Sequence, residues 1–599
     1  GTWAQGPTGL GHVRLSILDL SERGHQPYIS DDQQGVIVYN GEVYNFCDLR
    51  SQLEAAGFQF KSNSDTEVIL YALHHWGPEQ AIRQFNGMFA FAYYDLRSKT
   101  LWLGRDRLGI KPLYLTRTNN GIVFGSEIKA LLAHPDVQAR PDMHAVITQI
   151  IYERLDGAWT MFENIELVPA GTLIKINDKE NQISYFDVLR DIEPQRILEK
   201  TDFPVALRQF ENHFDTAVQK HLISDAPLAT LCSGGLDSSL VTAAAKVNKP
   251  DIIAYVADIE SMEGAEVKRA KRVCEYLDIP LRTVNVDIDT FYKMWPQTIL
   301  ANDQPNYFPQ NAAAMAIAEV MRQDGFKAVL TGHGADELFG GYTWFEDVYN
   351  MWRKRRLHAK WIHNNAFFRS LGKIIPLLSP LDIDSLAKRP FTNRHQNDPS
   401  GLTGQRIFAV DGGKRHLRSA ALFRRLDILP KYEERAFLAR SCEDIYTHLA
   451  ESLRTNDHMS MWHSIEARFP FLDNKLIDFG LHAPFHTKYY RGERKRLVTA
   501  LAYKRLPAEI VKLPKIGFWA PGYLWKGMAD YLRNGKVAQM LKWRATDQDE
   551  ILTSINRNQR YIYSLISLEI WARMYFDGES PEQLSATLLH HRRHKAKLN

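Results

Sequence analysis

Leu231-Cys232-Ser233-Gly234-Gly235-Leu236-Asp237-Ser238-Ser239 is the stretch on which the reading of the chain turns. Ahead of it, residues 227–231 (Pro-Leu-Ala-Thr-Leu) have the length and the polar-to-apolar composition of a short buried strand. Behind it, Leu240 to Lys246 is Ala-rich and free of breakers until Pro250, which predicts a helix. A strand that turns through Ser-Gly-Gly into a helix leaves backbone N–H groups unpaired at a positive dipole end, where an anion is the natural partner. Gly234 and Gly235 let the backbone approach that anion, and Ser233, Ser238 and Ser239 add hydroxyl donors.

No Lys follows the glycines, and the spacing of a P-loop is absent. Residues 233–239 instead resemble the pyrophosphate loop of ATP pyrophosphatases, enzymes that cleave ATP to AMP and pyrophosphate. A carboxylate cannot donate to phosphate, so Asp237 is expected to hold Mg²⁺. Taken alone, the run also reads as a Gly-rich turn capped by Ser and Asp.

Working outward, strands alternate with helices from about residue 204. A helical stretch from Val205 to Leu222 leads into the loop strand, followed by a strand over 252–257, a helix over 265–276, and strands over 281–286 and 328–330. This alternation predicts a parallel sheet covered on both faces, with ligands beyond the strands' carboxyl ends. There a second acidic loop follows, from Thr331-Gly332-His333-Gly334-Ala335-Asp336 to Tyr342. Asp237 and Asp336, delivered by neighbouring strand ends, are expected to share one Mg²⁺ on pyrophosphate oxygens. Before residue 190 the pattern is α+β: compact apolar runs over 36–39, 88–94 and 100–103, and a helical period from Asp65 to Trp76 that stops at Gly77-Pro78.

A chain of 599 residues exceeds one core, so two domains are expected: 1–190, and 204–599 with a basic insert at about 342–445. Residues 187 to 204 read as a linker. Apolar content of 45%, charged content of 24% and a net charge of +4 describe an ordinary globular protein and single out no partner by charge. The insert, with Trp352 to Arg356 and a Pro/Asn/Gly-rich section over 390–405, reads as basic, irregular and solvated. It lacks the aromatic interleaving of a nucleic-acid surface, as does the tail from His590 to Lys597. Cys47, Cys232, Cys274 and Cys442 are scattered without metal-ligand spacing, which points to a reducing cytoplasm, and no apolar run is long enough to cross a bilayer.

A third piece, Asp457 to Asp473 (DHMSMWHSIEARFPFLD), precedes a basic segment with Lys495 and the run Lys515 to Pro521. The order of these motifs resembles the asparagine synthetase B family, glutamine-hydrolysing amide-forming enzymes. His12 to Asp19, Asn40-Gly41-Glu42, Ser64-Asp65 and Gly104 to Pro112 are similar to the glutamine pocket of that family's class II glutaminase domain, an N-terminal-nucleophile hydrolase fold. The resemblance implies a glutaminase domain followed by an α/β ATP-pyrophosphatase synthetase domain. Arg14, with Leu15 and Ser16, would hold the glutamine α-carboxylate, and Asp65 and Glu42 its ammonium. The Asn40 side chain and the Gly41 N–H would form the oxyanion hole; an isolated Asn-Gly is otherwise a hairpin turn. Leu231, Val256, Thr331 and Gly332 would line the nucleoside of ATP, and Lys495 would neutralise charge developing on the α-phosphate.

Two departures accompany the matches. The resemblance implies an N-terminal Cys nucleophile, and none stands near Gly1. A chain that begins partway into its first domain is the expectation, with a lost glutaminase activity, and so a scaffold, as the competing account. His333 stands where asparagine-forming members carry Glu, so it is either a base near neutral pH or a structural loop residue. The expected reaction is ATP- and glutamine-dependent amidation of a carboxylate with release of AMP and pyrophosphate. Aspartate is the default acceptor, and a sugar uronate or natural-product acid is the alternative. The family suggests a homodimer.

Overall fold

Period-two alternation builds the first layers. The computed structural model describes residues 1–152, 155, 157–197, 201–259, 264–364, 422, 425–514, 522–557 and 559–598. In strand Gly35–Val43, Val36 turns toward one face and Ile37 and Tyr39 toward the other. Its partner Gly87–Asp95 sends Ala90, Ala92 and Tyr94 one way and Phe89, Phe91 and Tyr93 the other. These two strands lie in a six-stranded antiparallel sheet with Tyr28–Ile29, Thr100–Arg105, Thr172–Ile176 and Glu180–Ser184. On one face, small residues receive a three-stranded antiparallel sheet through Leu113, Leu115 and Val168. On the other, aromatic side chains receive helices Phe46–Ala55 and Asp65–Trp76, the second capped by Ser64 and ended at Gly77 as its sequence signals. Asn40 and Gly41 are not a hairpin turn: they sit within the strand, opposite Ala90 and Phe89.

The second sheet is all parallel, in the order Leu281–Val286, Ala254–Ile259, Leu228–Leu231, Ala328–Leu330, Glu466–Arg468. The chain lays strands outward on one side of Leu228–Leu231 and then returns to the other. The direction therefore switches between Leu228–Leu231 and Ala328–Leu330, and a crevice opens at the carboxyl ends of those two strands.

Three expectations need correction. The helix after the glycine turn is Leu236–Asn248, four residues longer at its start than composition indicated, so Asp237, Ser238 and Ser239 belong to its first turn. The two ends of the 342–445 insert are helical, Thr343–Asn364 and Tyr432–Asp444, joined by the packing of Phe345 on Phe437; the 390–405 section lies outside the described residues. The described part of 187–204 is not a free tether: Arg196 grips Asp478 with two hydrogen bonds of 2.9 and 2.7 Å. One continuous apolar core joins the two sheets' units, from Ile17, Met88 and Tyr114 through Phe210 and Phe214 to Leu330 and Ile465.

Candidate functional site

The two acidic loops meet in the crevice. Asp237 projects from the first turn of Leu236–Asn248, and Asp336 from the first turn of the short helix Ala335–Phe339 that follows Ala328–Leu330. Lys495 arrives from the amino end of helix Arg496–Arg505, its backbone in the left-handed region at φ 51°. Its Nζ lies 2.5 Å from Asp237 Oδ2 and 2.6 Å from Asp336 Oδ1, so a single ammonium joins both carboxylates. Lys495 is buried; burial alone would lower its pKa, and the two carboxylates outweigh that and raise it to about 12.

Such close approach requires glycine. A Cβ on Gly332 would stand 2.8 Å from Ser238 N and 3.0 Å from Asp237 Cβ, and one on Gly341 would stand 1.8 Å from Asp336 Oδ1 and 2.0 Å from Lys495 Cε. Ser233 Oγ and Ser238 Oγ are 3.0 Å apart across the turn, and Gly235 N–H donates to Ser233 Oγ. Ser239 is fully buried, so its hydroxyl faces the interior rather than the crevice. Leu231 is half-buried at the end of its strand, and Val256 is buried beside it in Ala254–Ile259.

His333 is half-buried beneath the same loop. Its Nδ1 is 2.9 Å from Thr331 Oγ1, and its ring meets the Phe469 ring edge-on. Burial lowers its pKa to about 4, against an opposing pull from Asp336. Next to it, Glu337 accepts from Tyr342 Oη at 2.7 Å; burial and the Asp336 charge raise its carboxyl to about 7.

The residues match what Mg²⁺ asks for. Two carboxylates converge on a position already held by a cation, and among the described residues no third His, Cys, Asp or Glu joins them to close a protein cage. That donor set suits an ion that keeps waters and substrate phosphates as its other ligands.

In the N-terminal unit, Arg14 donates to the carbonyls of Ser21, Leu18 and Asp19 at 3.0, 2.8 and 2.7 Å, which fixes its loop. Leu15 packs at the edge of the shared core, and the Ser16 carbonyl accepts from Lys327 Nζ of the other unit. Asp65 is buried, accepts from Tyr39 Oη and Val43 N, and has its pKa raised to about 6 by burial despite those bonds. Glu42 departs from the expectation that it faces glutamine's ammonium: it is buried and paired at 3.0 Å with Arg468. Of the cysteines, Cys47 is exposed on helix Phe46–Ala55, while Cys232, Cys274 and Cys442 are buried.

Sequence reasoning missed the seam between the units. Lys111, fully buried, lies 2.7 Å from Asp457 and 3.7 Å from Glu466, and Arg468 links Glu466 to Glu42. The available signal was the run of charged residues in an otherwise apolar motif, Asp457, Glu466 and Arg468, which only buried partners make tolerable.

Comparison with known proteins agrees with this layout. Residues 1–187 match the family model described as glutamine amidotransferase domain, and residues 209–574 the model described as asparagine synthase. Asparagine synthetase [glutamine-hydrolyzing] 3 of Bacillus subtilis is 30% identical over 89% of this chain and 83% of its own length. Asparagine synthetase [glutamine-hydrolyzing] 1 of the same organism is 26% identical over 96% and 91%. Amidase chry2 of Gibberella zeae is 26% identical over 92% and 88%. Fold, site and relatives define a glutamine-dependent amidotransferase, a two-part carbon–nitrogen ligase. The chain belongs to the asparagine synthase family, which uses ATP.

Proposed function

We propose that the chain makes asparagine: it adenylates the side-chain carboxylate of aspartate and converts it to an amide with ammonia taken from glutamine. The observation that carries this reading is the joining of Asp237, Asp336 and Lys495 at the switch point of a parallel sheet. The carboxylate attacks the α-phosphorus of ATP and pyrophosphate leaves; ammonia then attacks the acyl carbon, AMP leaves, and the surplus proton goes to a base. Ser233, Gly234, Gly235 and Ser238 would hold the pyrophosphate, and Leu231, Val256, Thr331 and Gly332 would flank the nucleoside. Lys495 would neutralise charge as it develops on the α-phosphate. Asp237 and Asp336 would hold Mg²⁺, which when bound neutralises phosphate charge and fixes its orientation. His333, uncharged at neutral pH, is available to accept the proton of the incoming amine. In the 1–190 domain, the Asn40 side chain and Gly41 N–H would stabilise the oxyanion, with Arg14 and Asp65 on the glutamine backbone.

Pyrophosphate release from ATP, measured with aspartate and with a panel of other acids, tests the reading. Aspartate-dependent release with asparagine as the product is the expected result, and no release with any acid overturns it. His333 and the amidase relatives favour a second reading, amidation of a different carboxylate; release with another acid and none with aspartate would establish it.

A further inference from the structure

A second cavity, of about 480 Å³, lies where Arg196 and Thr201, the Gly104–Pro112 motif and helices Phe203–His221 and Asn474–His482 meet. Its volume is that of a small-molecule site. Three charged side chains of the Gly104–Pro112 motif serve the fold: Arg105 donates to the carbonyls of Lys111, Val168 and Gly109, Asp106 accepts from four backbone N–H groups, and Lys111 pairs with Asp457. Arg107 alone does not. It lines the cavity with its guanidinium over the Phe186 ring, 5.0 Å from the ring centroid, and its buried Nε has no acceptor among the described residues.

The chemistry around Arg107 is cationic. Arg196, His213 and Lys475 line the same cavity, where among the described residues the one acidic lining residue is Asp478, already engaged by Arg196 and His482. Burial lowers the Arg107 pKa; Asp478, Asp191 and Asp473 draw the other way, yet none of them forms an ion pair with it. Lys475 is exposed on the helix's first turn, close enough to His213 to lower that ring's pKa after burial has done so. The Arg107 guanidinium and the Lys475 ammonium thus face one space with no anion paired to either among the described residues, and a buried arginine donor left unmet costs free energy that an oxyanion would restore.

We propose that this cavity binds a small phosphate-bearing anion, gripped by the Arg107 fork and the Lys475 ammonium, at a site separate from the Asp237–Asp336–Lys495 crevice. Arg107 belongs to the N-terminal unit and Lys475 to the synthetase unit, so the ligand would bridge the two.

Calorimetric titration of the full chain with inorganic phosphate, in the presence of saturating ATP and Mg²⁺ and without glutamine or acceptor, tests the site. The expected result is one phosphate per chain under those conditions, with affinity reduced about tenfold or more in Arg107→Gln and in Lys475→Gln. Lys475 is exposed, so its variant reads binding even where Arg107→Gln impairs folding. Three results overturn the proposal: no binding by the wild type, binding that vanishes when ATP is added, which places phosphate at the Ser233–Ser239 loop, or binding that Lys475→Gln leaves unchanged.

Discussion

Lys495 is the residue on which the crevice turns, because one ammonium lies on both carboxylates. Replacing it by Met removes that ammonium from between Asp237 and Asp336 and strengthens their mutual repulsion, which an added divalent ion relieves. Lys495→Met should therefore melt below the wild type in EDTA and regain more stability on addition of Mg²⁺ than the wild type does. Its pyrophosphate release should fall about a hundredfold or more. Differential scanning calorimetry with and without Mg²⁺ reads the first effect; an equal Mg²⁺ response in both proteins would show that the two carboxylates do not share an ion.

His333 supplies a prediction with a definite sign. Its pKa is lowered to about 4 in the fold from an ordinary 6.5, so the unfolded chain binds the extra proton between those values. Stability from this group is complete above pH 6.5 and is lost as pH falls toward 4, by up to about 3 kcal/mol at the acid end. His333→Gln should flatten that part of the pH–stability curve, measured by urea denaturation between pH 4 and 7. A curve parallel to the wild type would show that other groups carry the dependence. Half-buried His12 and buried His221, also lowered to about 4, add to the wild-type slope and remain in the variant.

Turns and short helices carry the site, and their geometry is strict where two of them touch. Gly341 closes the second acidic loop against the Lys495 stem. Gly341→Ala should displace Asp336 or Lys495 and raise the KM for ATP severalfold or abolish pyrophosphate release, with little change in helix content by circular dichroism. Full activity in this variant would mean that the loop has freedom its packing denies. The same scale explains what the sequence reveals of the structure. Strands 281–286 and 328–330 and helix Asp65–Trp76 are read to the residue, because each carries apolar residues and has Gly, Pro, Asp or Ser within three residues of either end. Glu466–Arg468 carries no such signal: three residues with a charge at either end are a buried edge strand only because the other unit supplies Lys111 and Glu42. The pairing of Asp237 with Asp336 is legible from two equivalent loops after two strands, whereas the meeting of Lys495 with both depends on a residue more than 150 positions further along. The pairing of Glu42 with Arg468 is hidden for the same reason, since the partner lies on a distant strand.

At the scale of the whole molecule, the two units are joined by charge as well as by the shared core. Strand Gly35–Val43 holds Glu42, which pairs with Arg468; Arg468 belongs to the strand beside Ala328–Leu330, and its carbonyl accepts from the N–H of Thr331, where the second acidic loop begins. Two polar contacts therefore span the distance from the Asn40-Gly41 segment to the loop of His333 and Asp336. Lys111 anchors the same assembly from the other side, fully buried against Asp457 and Glu466. Burying these charges costs desolvation that each pair repays only while both members are present. Lys111→Met strands Asp457 in the seam, while Glu466 keeps Arg468, and should lower stability by about 3 to 5 kcal/mol in equilibrium urea denaturation. The double variant Lys111→Met/Asp457→Leu removes the stranded charge and should recover a measurable part of that loss, the sign expected of coupled rather than independent sites. A double variant less stable than Lys111→Met by the full cost of Asp457→Leu alone would instead mean that the pair contributes nothing across the seam, and that the apolar core by itself holds the two units in register.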